Sequence, residues 1–478
     1  MAQQLQIDDI QGFVLRGYSF LYARYLFLQF KSAAQGRQWL GEVVEWTTPA
    51  TVWKDKPKVT QNLAFTYQGL AALGMPAESL KSFSKEFIDG MHTRSRVLGD
   101  TESPNCPEEW ELGNPTQPDQ QIHALLLLFG ATAQDVKEFV ERHEAVRQRI
   151  GSVEVAATIE GFRRMDKKEH FGYLDGASQP LVEGSRPDAA DAPVDPNSPV
   201  REIKAGEFVL GYVNEYGVIP PSPFVPANDK SAKLPEVSGE TNVRDFGKNG
   251  TYIVCRKLQQ NVAAFREFLQ DNVSEFDAQT SKLENIQETE WLAAKLVGRW
   301  RSGAPMMLSP DKDDALKDKR ENNDFTFDSD PDGLKCPIGS HIRRSNPRDT
   351  MGLPGAHGAE SFKAVNRHRI LRRGMPYGTT LQNDKDDGQD RGLVFLCVNA
   401  DIAVQYEFVQ RWMNDPSFNG LYQDQDVFAH NHADPSYANI PVHPVRKRVA
   451  YKGNFVTMRG GAYMFMPSMT ALRYLASM

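Results

Sequence analysis

The sequence predicts an α+β protein made of two similar modules. Short apolar segments of strand type alternate with helical segments along the chain. Residues 185–200, SRPDAADAPVDPNSPV, are rich in Pro, Asp, Ala and Ser, which is typical of a linker or a long loop. Strand and helix segments occur with comparable content on both sides of this stretch. The simplest interpretation is a pair of α+β modules whose helices cover one face of each sheet.

The first half of the chain contains both strand and helix patterns. Apolar or β-branched runs predict strands at residues 23–30, 123–130 and 153–161. The clearest helix is predicted over residues 133–150, where apolar residues recur at helical spacing and Thr132 or Asp135 can cap the first turn. Shorter helices are predicted at residues 38–46, 62–73 and 83–88.

The second half repeats this pattern. Strands are predicted at residues 208–213, 251–256, 392–399 and 461–467. Helices are predicted at residues 261–269 and 403–414. Residues 310–333 are charged and predict a loop.

Composition excludes several classes of protein. The chain has 478 residues, with 55 Lys and Arg against 62 Asp and Glu, so its net charge is −7. This acidic balance argues against a general phosphate-binding surface. The longest nearly uncharged apolar stretch, residues 124–133, is too short to cross a bilayer. The N-terminal residues show no basic and apolar leader pattern, so we expect a cytoplasmic protein without a membrane partner.

The cysteines predict no disulfide framework. Cysteines occur at positions 106, 255, 336 and 397, without a CxxC pair, zinc-finger spacing or a CxxCH motif. We therefore expect reduced thiols.

Three segments contain residues that could bind a ligand or take part in catalysis. The first is EHFGYLDGASQP, residues 169–180. Gly172 and Gly176 enclose Asp175 in a G-x-x-D-G pattern. Glycines permit tight turns and close backbone approach, so Asp175 could be presented to a ligand. An ordinary surface turn is the alternative, because Asp-Gly is a common turn dipeptide.

The second segment is CPIGSHIRRSNPR, residues 336–348. Its histidine, His341, could be a metal ligand, or it could be a surface or core histidine without such a role. Cys336 could in principle offer a thiolate to haem iron, although a buried thiol near a turn is the simpler interpretation. Elsewhere, His430 and His432 could form a metal pair, but no third ligand is evident.

The third segment is NRHRILRRGMPYG, residues 366–378. Basic residues are concentrated between positions 341 and 373, which is unusual in an acidic chain; they are Arg343, Arg344, Arg348, Lys363, Arg367, Arg369, Arg372 and Arg373. They could form a solvated face or a nucleic-acid patch. They could also form a pocket for carboxylates or phosphates, which arginine binds in a bidentate manner.

Together these segments resemble those of the dye-decolourising peroxidases. The N-terminal DIQGFVLRGY and the later RGLVFLCVNADIAVQYEFVQRWMND are also similar to family segments, so the resemblance spans residues 9 to about 467. It implies two ferredoxin-like modules with antiparallel sheets and peripheral helices, a dimeric α+β barrel type. The expected domains are residues 1–200, with the G-x-x-D-G segment, and residues 201–478, with the histidine and the arginine.

The resemblance also assigns roles on the distal side of a haem group. Asp175 matches the distal aspartate, which moves a proton between the two oxygens of hydrogen peroxide. Arg372 matches the distal arginine, which stabilises the charge on the departing oxygen. Leu393 and Phe395 match apolar residues that line this side.

On the proximal side, His341 matches the axial ligand of the iron. The family is expected to place a carboxylate beside this histidine, and either Asp424 or Asp426 could supply it. Arg343 and Arg344 are expected to bind the cofactor, because arginines are natural counter-ions for the haem propionates.

The implied function is that of a haem peroxidase with one haem b per chain. It would reduce hydrogen peroxide through a ferryl intermediate and oxidise dye-like or phenolic donors, with surface Trp or Tyr residues as plausible electron exits. A haem carrier or sensor without turnover is the main alternative, and a nucleic-acid-binding module is a weaker one. The oligomeric state stays open.

Overall fold

Within the part of the chain that the structure describes, eight antiparallel strands close into a barrel. The structure is a computed structural model and describes residues 4–185, 202–281, 283, 286–315, 321–351, 358–430, 436–451 and 453–478. The barrel strands in chain order are β1 (Tyr22–Phe30), β2 (Val59–Phe65), β3 (Ala124–Gly130), β4 (Val153–Phe162), β5 (Thr251–Gln260), β7 (Met375–Tyr377), β8 (Gly392–Asn399) and β9 (Val456–Met466), and the short β6 (Leu371–Arg372) also pairs with β8.

The first four strands form one ferredoxin-like module. Helix α1 (Ala33–Val43) connects β1 to β2, and α2 (Ala133–Ile150) connects β3 to β4, so the order is βαββαβ. The sheet order is β2–β3–β1–β4. Helix α2 begins with a capping box in which Thr132 and Asp135 exchange hydrogen bonds, and it ends at Gly151 in the left-handed conformation.

The remaining strands repeat this order with longer insertions. Their sheet order is β7–β8–β5–β9. The labelled helices of this module are α3 (Val262–Asn272), α4 (Glu288–Val297), α5 (His341–Ser345), α6 (Ala359–Asn366), α7 (Phe408–Asn414) and α8 (Met469–Ser477). A π-helical turn, Ala403–Glu407, leads into α7. The predicted fold class, two ferredoxin-like modules of the α+β barrel type, is confirmed.

Smaller elements surround the barrel. Short helices cover Gly12–Leu15, Tyr67–Ala72, Ala77–Lys81, Lys85–Asp89, Ser95–Leu98 and Asp277–Thr280. Short strands outside the barrel are Leu181–Val182 with Glu202–Ile203, Phe224–Pro226 with Glu240–Asp245 and Glu236–Val237, and Ser436–Ile440 with Lys447–Tyr451.

The two modules share the barrel through two short seams. Gly161 of β4 pairs with Tyr377 of β7, and Phe65 of β2 pairs with Phe465 of β9. Side chains from both modules, such as Leu125 of β3, then belong to one buried cluster inside the barrel. Alternate residues of the same strands pack under the helices in a second cluster, which explains why β3 is buried along its whole length.

Most predicted elements are confirmed, and two are wrong. Residues 62–73 form the end of β2 and then a helix from Tyr67, because β2 is buried on both faces and its apolar pattern imitates helical spacing. Residues 208–213 form turns instead of a strand: the N–H groups of Phe208 and Val209 both bond to the Ala205 carbonyl. Phe208 and Val209 are buried, so this apolar run reflects packing and not strand pairing.

The predicted linker falls almost entirely outside the described residues, since residues 186–201 are not among them. The domain boundary at residue 200 therefore stays a prediction. His432 of the possible metal pair also lies outside the described residues. Among the described residues, no helix is long and apolar enough to span a membrane.

Candidate active site

The three predicted segments meet at one cavity of about 330 Å³. Asp175, His341 and Arg372 all line it, together with Leu393 and Phe395 of strand β8. This volume lies at the lower end of the usual range for ligand pockets. The structure thus brings together the residues that the sequence singled out, and their roles stay predictions until tested.

The loop after β4 presents Asp175. The backbone N–H of Asp175 donates to the Lys167 carbonyl at 2.8 Å, which closes the loop into a hairpin. Gly172 has a φ of +94°, and a Cβ atom there would lie 2.6 Å from Nη1 of Arg301. This position therefore requires glycine for its conformation and for the close approach of Arg301.

Arg372 is held beside the same loop. Its backbone N–H donates to Oε1 of Gln179, and its Nη2 donates to the Ser178 carbonyl, both at 3.0 Å. The residues that follow Asp175 thus fix the direction of the Arg372 side chain into the cavity.

His341 stands at the start of α5 and contacts a buried carboxylate. Its Nδ1 lies 2.9 Å from Oδ2 of Asp426, which has no exposed surface. Burial opposes ionisation of Asp426, but His341 and the N–H of Ala429 outweigh it and hold the pKa of Asp426 below its usual value. The arrangement makes Nδ1 the hydrogen-bonded nitrogen and leaves Nε2 available as a ligand atom.

The choice between the two candidate carboxylates is decided by these contacts. Asp424 does not contact His341; its Oδ1 accepts a hydrogen bond from Nη2 of Arg344 at 3.0 Å, and its Oδ2 accepts from Asn439. Asp426 is therefore the partner of His341. The two aspartates are only two positions apart, so the sequence could not separate them.

The contacts of Arg343 and Arg344 give no support to the prediction that they bind the cofactor. Both side chains are fully buried, and neither lines the cavity. Arg343 donates to the carbonyls of Cys336 and Asp330, and Arg344 donates to those of Trp412 and Asp415. These hydrogen bonds fix neighbouring loops, so the two arginines hold the histidine segment in place.

Other arginines face the cavity. Together with Arg372 they are Arg256, which is paired with the buried Asp100, and Arg299, Arg348 and Arg369. Burial, together with a smaller contribution from the charge of Arg372, lowers the pKa of Arg299 and of Arg369 to about 10 each. Burial and repulsion by neighbouring arginines hold the pKa of Arg348 well below its usual value. Such a concentration of cations is favourable only with an anion among them.

Arg348 and Arg369 belong to the basic run seen in the sequence, whereas Arg299 was missed. Arg299 follows helix α4, and its Nη1 donates to the Gly303 carbonyl at 2.8 Å. Nothing in its local sequence indicated a ligand, because only the tertiary fold brings it to the other arginines.

The residues fit a haem group. No cluster of three or more metal-binding side chains exists among the described residues. A metal ion at His341 would therefore need most of its ligands from a non-protein group such as a porphyrin. The walls include apolar side chains such as Leu393 and Phe395, and the arginines match two carboxylates. Asn346 also lines the cavity, and its buried Oδ1 has no hydrogen-bond partner in the structure.

Cys336 is not a candidate ligand. Its thiol is buried, lies 3.2 Å from Oγ of Ser340 and does not line the cavity. Burial raises the pKa of the Cys336 thiol, which disfavours the thiolate. All four cysteines are free, which confirms the expectation of thiols without disulfides.

Comparison with known proteins gives a consistent result. The family model described as DyP dimeric alpha+beta barrel domain matches residues 9–165. The chain is 30% identical to "Multifunctional dye peroxidase DyP2" of Amycolatopsis sp., over 98% of this chain and 96% of that protein. It is 28% identical to a "Dye-decolorizing peroxidase" of Mycena epipterygia, over 99% of this chain and 87% of the relative.

Solved structures agree over the full length. An ancestral D-type dye-decolorizing peroxidase superimposes with a TM-score of 0.76 at 28% identity, and the match covers 98% of this chain and 99% of the other. A fungal DyP-type peroxidase from Auricularia auricula-judae superimposes with a TM-score of 0.78 at 23% identity, over the whole of both chains, which supports the fold.

Proposed function

The chain belongs to the dye-decolourising peroxidase family, and on this premise we propose that His341 binds haem iron while Asp175 and Arg372 act on hydrogen peroxide in the same cavity. The protein is a haem peroxidase that reduces hydrogen peroxide and oxidises organic donors. This assignment of residues rests on one observation: all three side chains line the same cavity.

The proposed cofactor is haem b, one molecule per chain. His341 would hold it through Nε2, since Nδ1 faces Asp426. Arg299, Arg348 and Arg369 would pair with its propionates. When bound, haem supplies redox-active iron to the cavity. The carboxylate of Asp426 orients the imidazole of His341 and increases its basicity, which favours tight ligation.

Asp175 would transfer a proton between the oxygens of hydrogen peroxide, and Arg372 would stabilise the charge that develops. Hydrogen peroxide loses a proton from one oxygen and gains one on the other as its O–O bond breaks. The carboxylate of Asp175 can accept the first proton and return it to the second oxygen. The guanidinium of Arg372 can stabilise negative charge on the departing oxygen.

Dye-like or phenolic compounds are the proposed donors. The relatives that match over the full length carry dye peroxidase names, which favours turnover over the alternative of a haem carrier. A cytoplasmic location stays a prediction.

The test is the substitution Asp175→Asn in haem-loaded protein. We expect the second-order rate constant for reaction with hydrogen peroxide to fall by about 10²- to 10⁴-fold. The haem content and the resting absorption spectrum should not change, because Asp175 does not hold the cofactor. Rapid mixing with peroxide, followed at the Soret band, measures the rate constant.

The matched control is Asp166→Asn. Asp166 lies three residues before that segment, and its exposed carboxylate pairs with Arg164 and does not line the cavity. This variant should react at the wild-type rate. A wild-type rate for Asp175→Asn would remove Asp175 from the proposed chemistry.

A further inference from the structure

One carboxylate on the cavity wall has no part in the proposed chemistry. Glu169 lines the cavity, and its oxygens accept three hydrogen bonds. Oε2 accepts from the N–H of Phe171 at 2.8 Å and from Nε2 of Gln260 at 2.7 Å, and Oε1 accepts from the N–H of Tyr173 at 2.8 Å. Two backbone donors of one loop and one side chain of strand β5 thus converge on Glu169.

The backbone of this loop is closed around the same residue. The N–H of Glu169 donates to the Tyr173 carbonyl at 3.0 Å, and the N–H of Gly172 donates to the Glu169 carbonyl at 2.9 Å. Two residues beyond Tyr173, the N–H of Asp175 bonds to Lys167. Glu169 is therefore at the centre of the hairpin that ends at Asp175, and Gln260 ties this centre to the barrel.

The charge of Glu169 is stabilised by dipoles and not by a paired cation. Among the described residues it forms no ion pair, and burial raises the pKa of Glu169 while its three hydrogen-bond donors lower it. Asp175 raises the pKa of Glu169 further, and Arg301 is the cation that interacts with Glu169 across the loop. The side chain at this position is a carboxylate even though burial opposes its charge.

We propose that Glu169 is a positioning residue whose carboxylate fixes the loop that presents Asp175 to the cavity. This inference rests on the proposed role of Asp175. An N–H donor satisfied by a carboxylate gives a strong, directional contact, and two of them on alternate residues restrain the backbone of the loop.

The experiment uses Glu169→Gln in haem-loaded protein, alone and combined with Asp175→Asn. The amide of glutamine turns an N–H group toward a donor and loses at least one of the three contacts. We expect the rate constant with hydrogen peroxide to fall about 10- to 100-fold in the single variant, because small misplacement of a catalytic group has effects of this size. In the Asp175→Asn background the second substitution should cause no further loss.

One additional measurement separates positioning from a general effect on folding. Hydrogen exchange of the amides of Phe171 and Tyr173 should become faster in Glu169→Gln, because these amides lose their carboxylate acceptor. The control Glu160→Gln, an exposed β4 residue paired with Arg24, should not change the exchange of these two amides.

The outcomes are distinguishable. Equal losses from Glu169→Gln in both backgrounds, or unchanged hydrogen exchange of the amides of Phe171 and Tyr173, would overturn the positioning role. A wild-type rate for Asp175→Asn alone would overturn the proposed function instead. If Glu169→Gln fails to load haem, the variant Gln260→Met tests the positioning role instead. It removes one of the three contacts of Glu169 and leaves both loop contacts in place. It should show a loss of a few-fold that again vanishes in the Asp175→Asn background, and an unchanged rate for it would contradict the proposal.

Discussion

His143 illustrates how one buried polar side chain makes stability depend on pH. It lies on helix α2 between Trp46 and Phe139, with ring centroids 5.1 and 5.0 Å away. Neither of its ring nitrogens has a hydrogen-bond partner in the structure. Burial, with smaller contributions from Arg142 and Arg147, lowers the pKa of His143 to about 3. The neutral ring is therefore the form that the folded protein accepts.

From this we predict that His143→Leu stabilises the protein at low pH. The pKa of His143 is lower in the folded than in the unfolded state, so its contribution to stability is complete above about pH 6.5 and is lost as pH falls toward 3. Near pH 4.5 the loss is about 3 kcal/mol. Thermal unfolding at pH 8 and pH 4.5 measures the difference between variant and wild type. An equal difference at both pH values would contradict the predicted pKa.

The arginines show what the sequence reveals about single residues. The excess of positive charge between residues 341 and 373 indicated an anion-binding pocket as one possibility, yet it did not separate Arg343 and Arg344 from Arg348 and Arg369. All four are substantially buried. What separates them is whether backbone carbonyls or the cavity surround each guanidinium, and that depends on contacts between distant segments.

At the scale of elements, the helix α5 that carries His341 has only five residues and gains its position from its surroundings. The main anchor is the buried pair of Arg344 and Asp424, with 0% and 1% of the side chains exposed. Burial raises the pKa of Asp424, and Arg344 opposes that rise. The pair connects α5 to the segment that carries Asp426, so it maintains the contact between His341 and its carboxylate.

Breaking this pair should therefore be costly. We predict that Arg344→Leu lowers the free energy of unfolding by about 3–5 kcal/mol, because it leaves Asp424 buried without its cation. Haem loading should fall as well, since the position of His341 depends on the pair. The double variant with Asp424→Leu should be less destabilised than the sum of the two single variants. Chemical unfolding and haem titration measure both effects, and strict additivity would show that the pair does not act as a unit.

Errors in the predicted elements have a common physical cause. Residues 63–65 and 208–210 are apolar and buried, but burial alone does not specify whether the backbone forms a strand, a helix or a turn. Helix α2, by contrast, was predicted over its whole length because it combines an apolar stripe with a capping residue, Thr132 or Asp135, at its start. Elements with capping signals could be predicted from the sequence, whereas elements that are buried on both faces could not.

At the scale of the whole molecule, the barrel and the cavity couple the two modules. Strands of both modules contribute to one interior cluster, and the seams β4–β7 and β2–β9 complete the ring of hydrogen bonds. The cavity is shared too, because Asp175 follows β4 of the first module while His341 and Arg372 belong to the second. The sequence indicated two modules by their repeated pattern, but it could not show their closure into one barrel, since the seams consist of single residue pairs.

This coupling predicts that the described modules unfold as one unit and that haem stabilises both. A ligand that binds only the native state adds RT ln(1 + [L]/Kd), which is about 4 kcal/mol when free haem is 1,000 times its Kd. Calorimetry of the full chain with and without haem should show one transition in each case, at a higher temperature with haem. Two transitions, of which only one moves with haem, would mean that the modules unfold independently in spite of their shared interior. A single transition that loses its haem response in His341→Ala would connect the stabilisation of the whole barrel to ligation at that one imidazole.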